Sequence, residues 1–463
     1  MLFPTMQFGL FFVVVYAVTW GFGRDNNARK WFLLLASWVF YSAWDWRFVA
    51  LLIFSGLMNW WVADRVSRTE ERRARIGWVA LGVTLNLVIL GFFKYYGFFV
   101  EQLGALLLQF GWERDLPLLE VILPVGVSFF TFQGISYLVD VHRGKTQPAD
   151  SAGDVLLLMS FFPHLVAGPI VRASHLLPQF ERTPKLSKDI VCHGLVLIAW
   201  GLAKKTVIAS ELATRIVDPV FFDPSAYGAV DLMVAAYGYA VQIYCDFSAY
   251  SDIAIGVAAL LGYRFPRNFD QPYRSWSLQE FWRRWHMSLS SWLRDYLFIP
   301  LGGSRGPVWK TCRNLLITML LGGLWHGAAW TFVAWGALHG GVLALERLFR
   351  RNARPGLIGV IVTFHVVLLG WILFRSESFA SALTFLTGLG TQWSAPMLVT
   401  PLVVALTFVG LAIHWLPRRS AEGVATVLSR MPSPAVALAF GLVVLTVEAI
   451  RPEGIAPFIY FQF

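Results

Sequence analysis

Cysteine is nearly absent from this chain. Cys192, Cys245 and Cys312 stand alone among 463 residues, with no CxxC, which excludes a disulfide framework and implies no zinc site. Charge is scarce too, at 14 % of residues against about 25 % in an ordinary soluble domain. Internal repeats, low-complexity tracts and long polar linkers are missing, so nothing points to an array or an appended soluble domain. The chain carries no GxxxxGK[ST], HExxH or GxGxxG, which removes the standard nucleotide hydrolase, zinc protease and dinucleotide site. No Lys or Arg precedes Arg24, which argues against a cleaved signal peptide with a basic n-region.

Apolar residues are abundant instead. They make up 57 % of the chain, with 21 tryptophans and a mean hydropathy of +0.58. Such a chain cannot cover its apolar surface with polar groups in water, so it reads as a polytopic membrane protein with lipid around it. The net charge of +10 then reports orientation rather than nucleic-acid binding, because Lys and Arg sit in short segments between apolar runs.

About twelve spans are expected, near 6–22, 31–44, 46–63, 77–98, 121–139, 190–209, 232–262, 314–329, 331–346, 357–374, 398–416 and 434–450. Basic segments at 24–30, 65–75, 143–145, 264–274, 305–313, 347–354 and 418–430 alternate with loops carrying Glu101, Glu113, Asp115, Glu120, Asp218, Asp223 and Asp231. The positive-inside rule then places both termini outside the cytoplasm. The whole of 1–463 reads as one all-α integral membrane domain.

Two stretches do not fit simple spans. Residues 153–182 are apolar but broken by Pro163, Gly168 and Pro169, and residues 276–301 are amphipathic and too charged to cross lipid alone. Irregular backbone at membrane depth survives only where protein or a wet cavity surrounds it, so both read as re-entrant or interfacial segments.

Of nine histidines, most need no chemistry; His142 and His414, near predicted helix ends, fit that reading. His286 stands out by its neighbourhood. Ser277 to Glu280 forms a capping box that starts a helix. On it Gln279, Trp282, Arg283, His286 and Ser290 share one face, and Phe281, Trp285, Ser288 and Trp292 another. A plain interfacial anchor with tryptophans and snorkelling arginines is an equal reading.

His326 lies in LLGGLWHGAAW, and no Lys, Arg, Asp or Glu falls between Arg313 and Glu346. An imidazole there is costly to charge, and a neutral one in a dry cavity is a competent general base. Gly322, Gly323 and Gly327 either open room for a substrate or allow close helix packing. His339 lies one predicted helix later and reads as a supporting or packing residue. Asp246 and Asp252 occupy an apolar helix, where a carboxylate costs roughly 2.5–3.5 kcal/mol. Either they orient an imidazole, or they pair with an arginine of 283–294, or they mark a proton or ion path.

These segments together resemble the membrane-bound O-acyltransferases. QEFWRRWHMSLSSWLRDYLFIPLGG at 279–303 and LLGGLWHGAAWTFVAWGALHG at 320–340 are similar to the family's two signature segments. The likeness is nearest to the bacterial alginate O-acetyltransferase branch. YCDFSAYSDIAIG, FPRNFDQPYRSWS, LPVGVSFFTFQGISYLVDVHRG, FFPHLVAGPIVR and the terminal PFIYFQF extend it in order along most of the chain.

The resemblance implies a transmembrane helical bundle with re-entrant segments around a funnel or tunnel, in a bacterial inner membrane. It implies an O-acetyltransferase taking an acetyl group from a cytoplasmic donor, acetyl-CoA, toward a polysaccharide outside, through a periplasmic partner. His326 and His286 map onto the family's functional histidines, and Trp325, Asp246, Asp252 and His339 support them. Arg283, Arg284 and Arg294 are candidates for the donor's phosphates, or are interfacial anchors. No metal or covalent cofactor is needed. Alginate, cellulose or another exopolysaccharide, or peptidoglycan, is the expected final acceptor, and nothing in the residues selects among them. A transporter or channel, and a non-enzymatic scaffold of an export complex, are readings from other classes. A transporter commonly carries an internal repeat, which this chain lacks.

Overall fold

A computed structural model describes residues 3–23, 25–112, 119, 121–166, 168–349 and 355–450. Arg24, Glu113, Asp115, Glu120, Arg354 and the terminal PFIYFQF lie outside the described residues. All regular structure among the described residues is helical. Contacts between residues divide the chain into two compact units. One holds residues 1–185 with 327–329, and the other holds 186–326 with 330–463.

The first unit contains α1 (Met6–Gly21), α2 (Asn26–Asp45), α3 (Arg47–Arg68), α4 (Arg72–Gln109), α5 (Val127–His142), α6 (Ala152–Ser160), α7 (Phe162–Leu165) and α8 (Ala173–Phe180). With 38 residues, α4 runs for about 57 Å at 1.5 Å per residue, more than a hydrocarbon core needs. Its neighbours α3 and α5 close on a buried amide pair. Asn59 and Asn86 donate to each other at 3.3 and 2.9 Å, and each also donates to its own helix, at Ser55 and Gly82. Gly134 of α5 presses against that pair, since a Cβ there would stand 2.6–2.8 Å from their amide atoms. The stretch expected to be re-entrant is three short helices, α6 to α8, none long enough to cross a bilayer.

The second unit begins with α9 (Lys188–Leu202), which continues through a π-helical stretch (Ala203–Ala209), α10 (Ser210–Leu212), a second π-helical stretch (Ala213–Val217) and α11 (Asp218–Phe222). Then come α12 (Ala229–Leu260), α13 (Leu278–Arg284), α14 (Met287–Leu293), a π-helical stretch (Arg294–Phe298), α15 (Val308–His326) and α16 (Trp330–Phe349). The unit ends with α17 (Leu357–Arg375), α18 (Phe379–Thr391), α19 (Pro401–Ala412), α20 (Ser420–Arg430) and α21 (Ser433–Ile450). The most buried of the long apolar helices is α12. It meets α9 through Gly194, Gly201 and Gly256. A Cβ on Gly256 would lie 2.6 Å from the Gly194 carbonyl, so backbone rests on backbone.

Among the described residues six helices are long and apolar enough to cross a membrane: Arg47–Arg68, Arg72–Gln109, Lys188–Phe222, Ala229–Leu260, Leu357–Arg375 and Ser433–Ile450. A bent pair, Pro401–Trp415 with Ser420–Arg430, makes up to seven. The other expected spans coincide with α1, α2, α5, α15 and α16, which are shorter or more polar. The sequence reading omitted α18, whose 13 residues are too few for a simple span.

Close approach also builds the antiparallel hairpin of α15 and α16. A Cβ on Gly323 would meet the Phe332 carbonyl oxygen at 2.2 Å, and one on Gly336 the Met319 carbonyl oxygen at 2.4 Å. Gly323 therefore serves helix packing rather than room for a substrate. Overpacking a tight core costs about 1–3 kcal/mol, and here the opposing atom is backbone that cannot rotate away. Gly336→Val is expected to reduce protein accumulated in the membrane and lower its midpoint of thermal unfolding in detergent. Gly341→Val, where a Cβ meets nothing within 4 Å, is the matched control.

Candidate active site

The segment 276–301 folds differently from the single helix that its periodicity suggests. Ser277 caps α13 by accepting from the Glu280 N–H at 3.1 Å, and the Glu280 carboxylate reaches back to the Trp276 N–H at 3.0 Å. The start of the helix is therefore as the capping box predicts. After seven residues α13 stops, and α14 begins two residues later. His286 sits in the break, with φ 42° and ψ 55°. That left-handed conformation is unusual for a residue with a Cβ. The expected face of Gln279, Trp282, Arg283, His286 and Ser290 is thus split, with His286 off it.

Residues 263–271 create the break by supplying hydrogen bonds that the helix would otherwise make. The Asp270 N–H donates to the Arg284 carbonyl at 2.9 Å, and the Met287 N–H donates to the Asn268 carbonyl at 2.8 Å. The Asn268 side-chain oxygen accepts from the Ser288 N–H at 3.1 Å and the Ser288 hydroxyl at 2.9 Å. One asparagine thus covers two of the orphan N–H groups at the start of α14.

His286 is 1 % exposed. Its Nδ1 lies 3.3 Å from the same Asn268 oxygen, and its Nε2 is buried with no hydrogen-bond partner among the described residues. Burial holds its pKa well below the ordinary histidine value, so the ring is neutral at physiological pH. Phe247 meets the ring edge-on at 4.6 Å, and Trp325 lies 6.2 Å away.

His326 ends α15 and is 5 % exposed. Trp325, Trp335 and Phe374 surround its ring at 5.0, 5.1 and 5.2 Å. Trp325 therefore adjoins both His286 and His326. His339 is fully buried on the other flank of Trp335, 4.6 Å from it, and accepts the Trp282 indole N–H at Nδ1, 3.3 Å away. Gly370 of α17 leaves space for its Nε2, which a Cβ there would approach to 2.7 Å. Three imidazoles predicted on separate segments are thus linked through two indoles.

Beside these rings a cavity of about 530 Å³ opens among α13 to α16. Arg283, Arg294, Arg347 and Glu346 line it, with Trp282, Met287 and Met319 from the elements that carry the histidines. Neither His286 nor His326 is part of its wall. Arg284 is not at this cavity: it is held by the Glu280 carboxylate at 2.5 Å and by the Asp270 carbonyl. Arg294 pairs with Asp295 at 2.8 Å.

The two carboxylates of α12 find lysines. Asp246 pairs with Lys205 at 2.8 Å and Asp252 with Lys204 at 2.7 Å. Lys204 also donates to Ser248 at 2.6 Å. The expected pairing with an arginine of 283–294 is therefore corrected: the partners are lysines. Both lysines lie in the first π-helical stretch, and both are nearly fully buried. The expected span at 190–209 contains both, and the sequence reading gave them no role. Their position opposite two acids in a glycine-lined helix crossing was the available signal.

Removing one member of a buried pair leaves an uncompensated charge and costs about 3–5 kcal/mol, while removing both is nearly neutral. Lys205→Met is expected to deplete the protein from membranes. Lys205→Met combined with Asp246→Leu should recover most of it. Equal depletion in the single and double variants, read by immunoblot and thermal unfolding, would show that the pair holds no such energy.

A model of the MBOAT family, membrane-bound O-acyltransferases, matches residues 151–374. A "Probable alginate O-acetylase AlgI" from Pseudomonas putida is 39 % identical over 465 residues, covering 94 % of each chain. Another of that name, from Azotobacter vinelandii, is 44 % identical over 357 residues, covering 76 % of this chain and 70 % of its own. A "Peptidoglycan O-acetyltransferase" from Helicobacter pylori is 35 % identical over 425 residues, covering 84 % of this chain and 80 % of that protein.

Proposed function

The chain belongs to the membrane-bound O-acyltransferase family, and from that premise we propose that it carries an acetyl group from cytoplasmic acetyl-CoA toward an extracytoplasmic polysaccharide. The observation that carries this reading is the pair of buried imidazoles, His286 and His326, both adjoining the Trp325 indole and beside an arginine-lined cavity. The names of its relatives favour an alginate-like polymer as final acceptor, and the proposal adds a periplasmic partner protein that completes the transfer. Peptidoglycan is the second acceptor, supported by the Helicobacter pylori relative.

In the proposed reaction a hydroxyl attacks the thioester carbonyl, a C–O bond forms and the C–S bond breaks. His326 takes the hydroxyl proton and returns it to the leaving thiolate. The tryptophans around it exclude water, which strengthens each electrostatic interaction in the site and protects the thioester from hydrolysis. Arg283, Arg294 and Arg347 offer guanidinium forks to the donor's phosphates. Arg284, which does not line the cavity, is left out of this role.

Removing a general base typically costs about 10²–10⁴-fold in rate. His326→Ala is expected to abolish polymer-bound acetate while the protein still accumulates in the membrane. His286→Ala should do the same, and the double variant should be no worse than the worse single one, because both rings serve one transition state. The measurement is acetate on secreted polymer, normalised to membrane protein. Intact acetylation in either well-expressed single variant would favour a transporter or scaffold.

Orientation follows from the basic loops. Reporter fusions after Arg75 and Arg354 are expected to report cytoplasm, and fusions at Asp115 and Phe463 the far side of the inner membrane. A cytoplasmic signal from Phe463 would mean an odd error in the number of crossings.

A further inference from the structure

We infer that Asn268 is a positioning residue that locks His286 as its Nδ1–H tautomer, so that the imidazole offers a lone pair, not an N–H, to a bound reactant. The inference rests on the proposed catalytic role only for its consequence in turnover; the hydrogen bonding stands by itself.

The logic begins with a donor that cannot reverse. The Ser288 backbone N–H can only donate, so the Asn268 atom 3.1 Å away is the amide oxygen. The amide nitrogen then faces Ser251, to whose hydroxyl it donates at 3.0 Å. Both ends of the amide are thereby fixed. The Ser288 hydroxyl, 2.9 Å from the same oxygen, spends its single proton there. It lies 3.4 Å from His286 Nδ1 and has no second proton to give it.

Nδ1 thus faces an oxygen that only accepts and a hydroxyl whose proton is committed. A lone pair on Nδ1 would oppose both oxygens, so Nδ1 carries the hydrogen. Being neutral, the ring then has its lone pair on Nε2, the atom with no partner among the described residues. The backbone supports the same geometry. The Met287 N–H on the Asn268 carbonyl holds the left-handed turn that brings Nδ1 to Asn268, 18 residues earlier in the chain.

The consequence alters the part that His286 can play. A ring with a lone pair at Nε2 accepts a hydrogen bond from a hydroxyl or a thiol. In that state it cannot donate to an oxyanion. Resting His286 is therefore a proton acceptor in its own right, and oxyanion stabilisation falls to other donors unless the ring has first taken a proton.

The test reads the tautomer directly. The full-length protein is labelled with 15N-histidine in detergent, and two-bond 1H–15N correlations are recorded, with His286→Gln identifying the resonance. The expected signal in the natural chain is Nδ1–H. Asn268→Ala is expected to release the ring to the Nε2–H form or a mixture, and to lower polymer acetylation by about 10²-fold, the scale of a misplaced catalytic group. Asn268→Asp keeps the accepting oxygens, and the Ser251 hydroxyl can turn to donate. It should fold, retain Nδ1–H and restore most acetylation, which covers the case in which Asn268→Ala fails to accumulate. An Nε2–H signal in the natural chain, or a tautomer unchanged in Asn268→Ala, would overturn the inference. Full acetylation in His286→Ala with the expected tautomers would instead remove the catalytic role and leave the hold of Asn268 on the ring intact.

Discussion

A polar group inside this chain must find its partner inside the chain, because lipid offers none. That constraint explains where the backbone departs from regular helix. The break at His286 would leave N–H and C=O groups of α13 and α14 unsatisfied, and residues 263–271 are laid alongside to satisfy them. The same demand places Lys204 and Lys205 opposite Asp252 and Asp246. It also buries Asp231, which a sequence reading assigns to a loop. Its carboxylate accepts from the Met397 and Leu398 N–H groups and ties down the chain before α19.

What was legible in the sequence was local. Apolar runs of helical length mark most of the helices, and the Ser277–Glu280 box marks the start of α13 to the residue. The isolation of His326 from every charge is a property of the string itself, and its burial among indoles and a phenyl ring is what such isolation leads to. What was not legible depends on pairs distant in sequence. Asn268 reads as one polar residue in a basic loop, and nothing local says that it will end one helix and cap the next 20 residues away. Periodicity placed His286 on a continuous helix because helical spacing carries no record of a competing hydrogen-bond donor. An arginine of 283–294 was likewise one of three readings for Asp246 and Asp252, whereas α9 and α12, packed through glycines, pair them with lysines.

Glycine and tryptophan divide the work around the site. Glycine removes bulk where backbones must touch, between α15 and α16 and between α9 and α12, and so fixes the separation of the helices that carry the histidines. Tryptophan fills the remaining space around the imidazoles. A large, stiff ring loses little conformational freedom on burial and leaves little room for water. Trp325 and Trp335 separate the three rings without insulating them, since each lies within about 6 Å of two of them.

This arrangement bears on why a transferase would need more than one histidine. In a dry site a base that takes a proton becomes a buried cation, and its cost rises steeply with burial. His286 has the Asn268 amide oxygen and the Ser288 hydroxyl oxygen beside Nδ1 to stabilise the charge. His339 has the reverse arrangement, with its Nδ1 receiving the Trp282 N–H, so protonating that nitrogen would break an existing hydrogen bond. The rings are thus not interchangeable: the chain primes one to accept a proton at Nε2 and holds another with its Nδ1 lone pair already in use. The difference between His286 and His339 lies in which neighbour donates and which accepts.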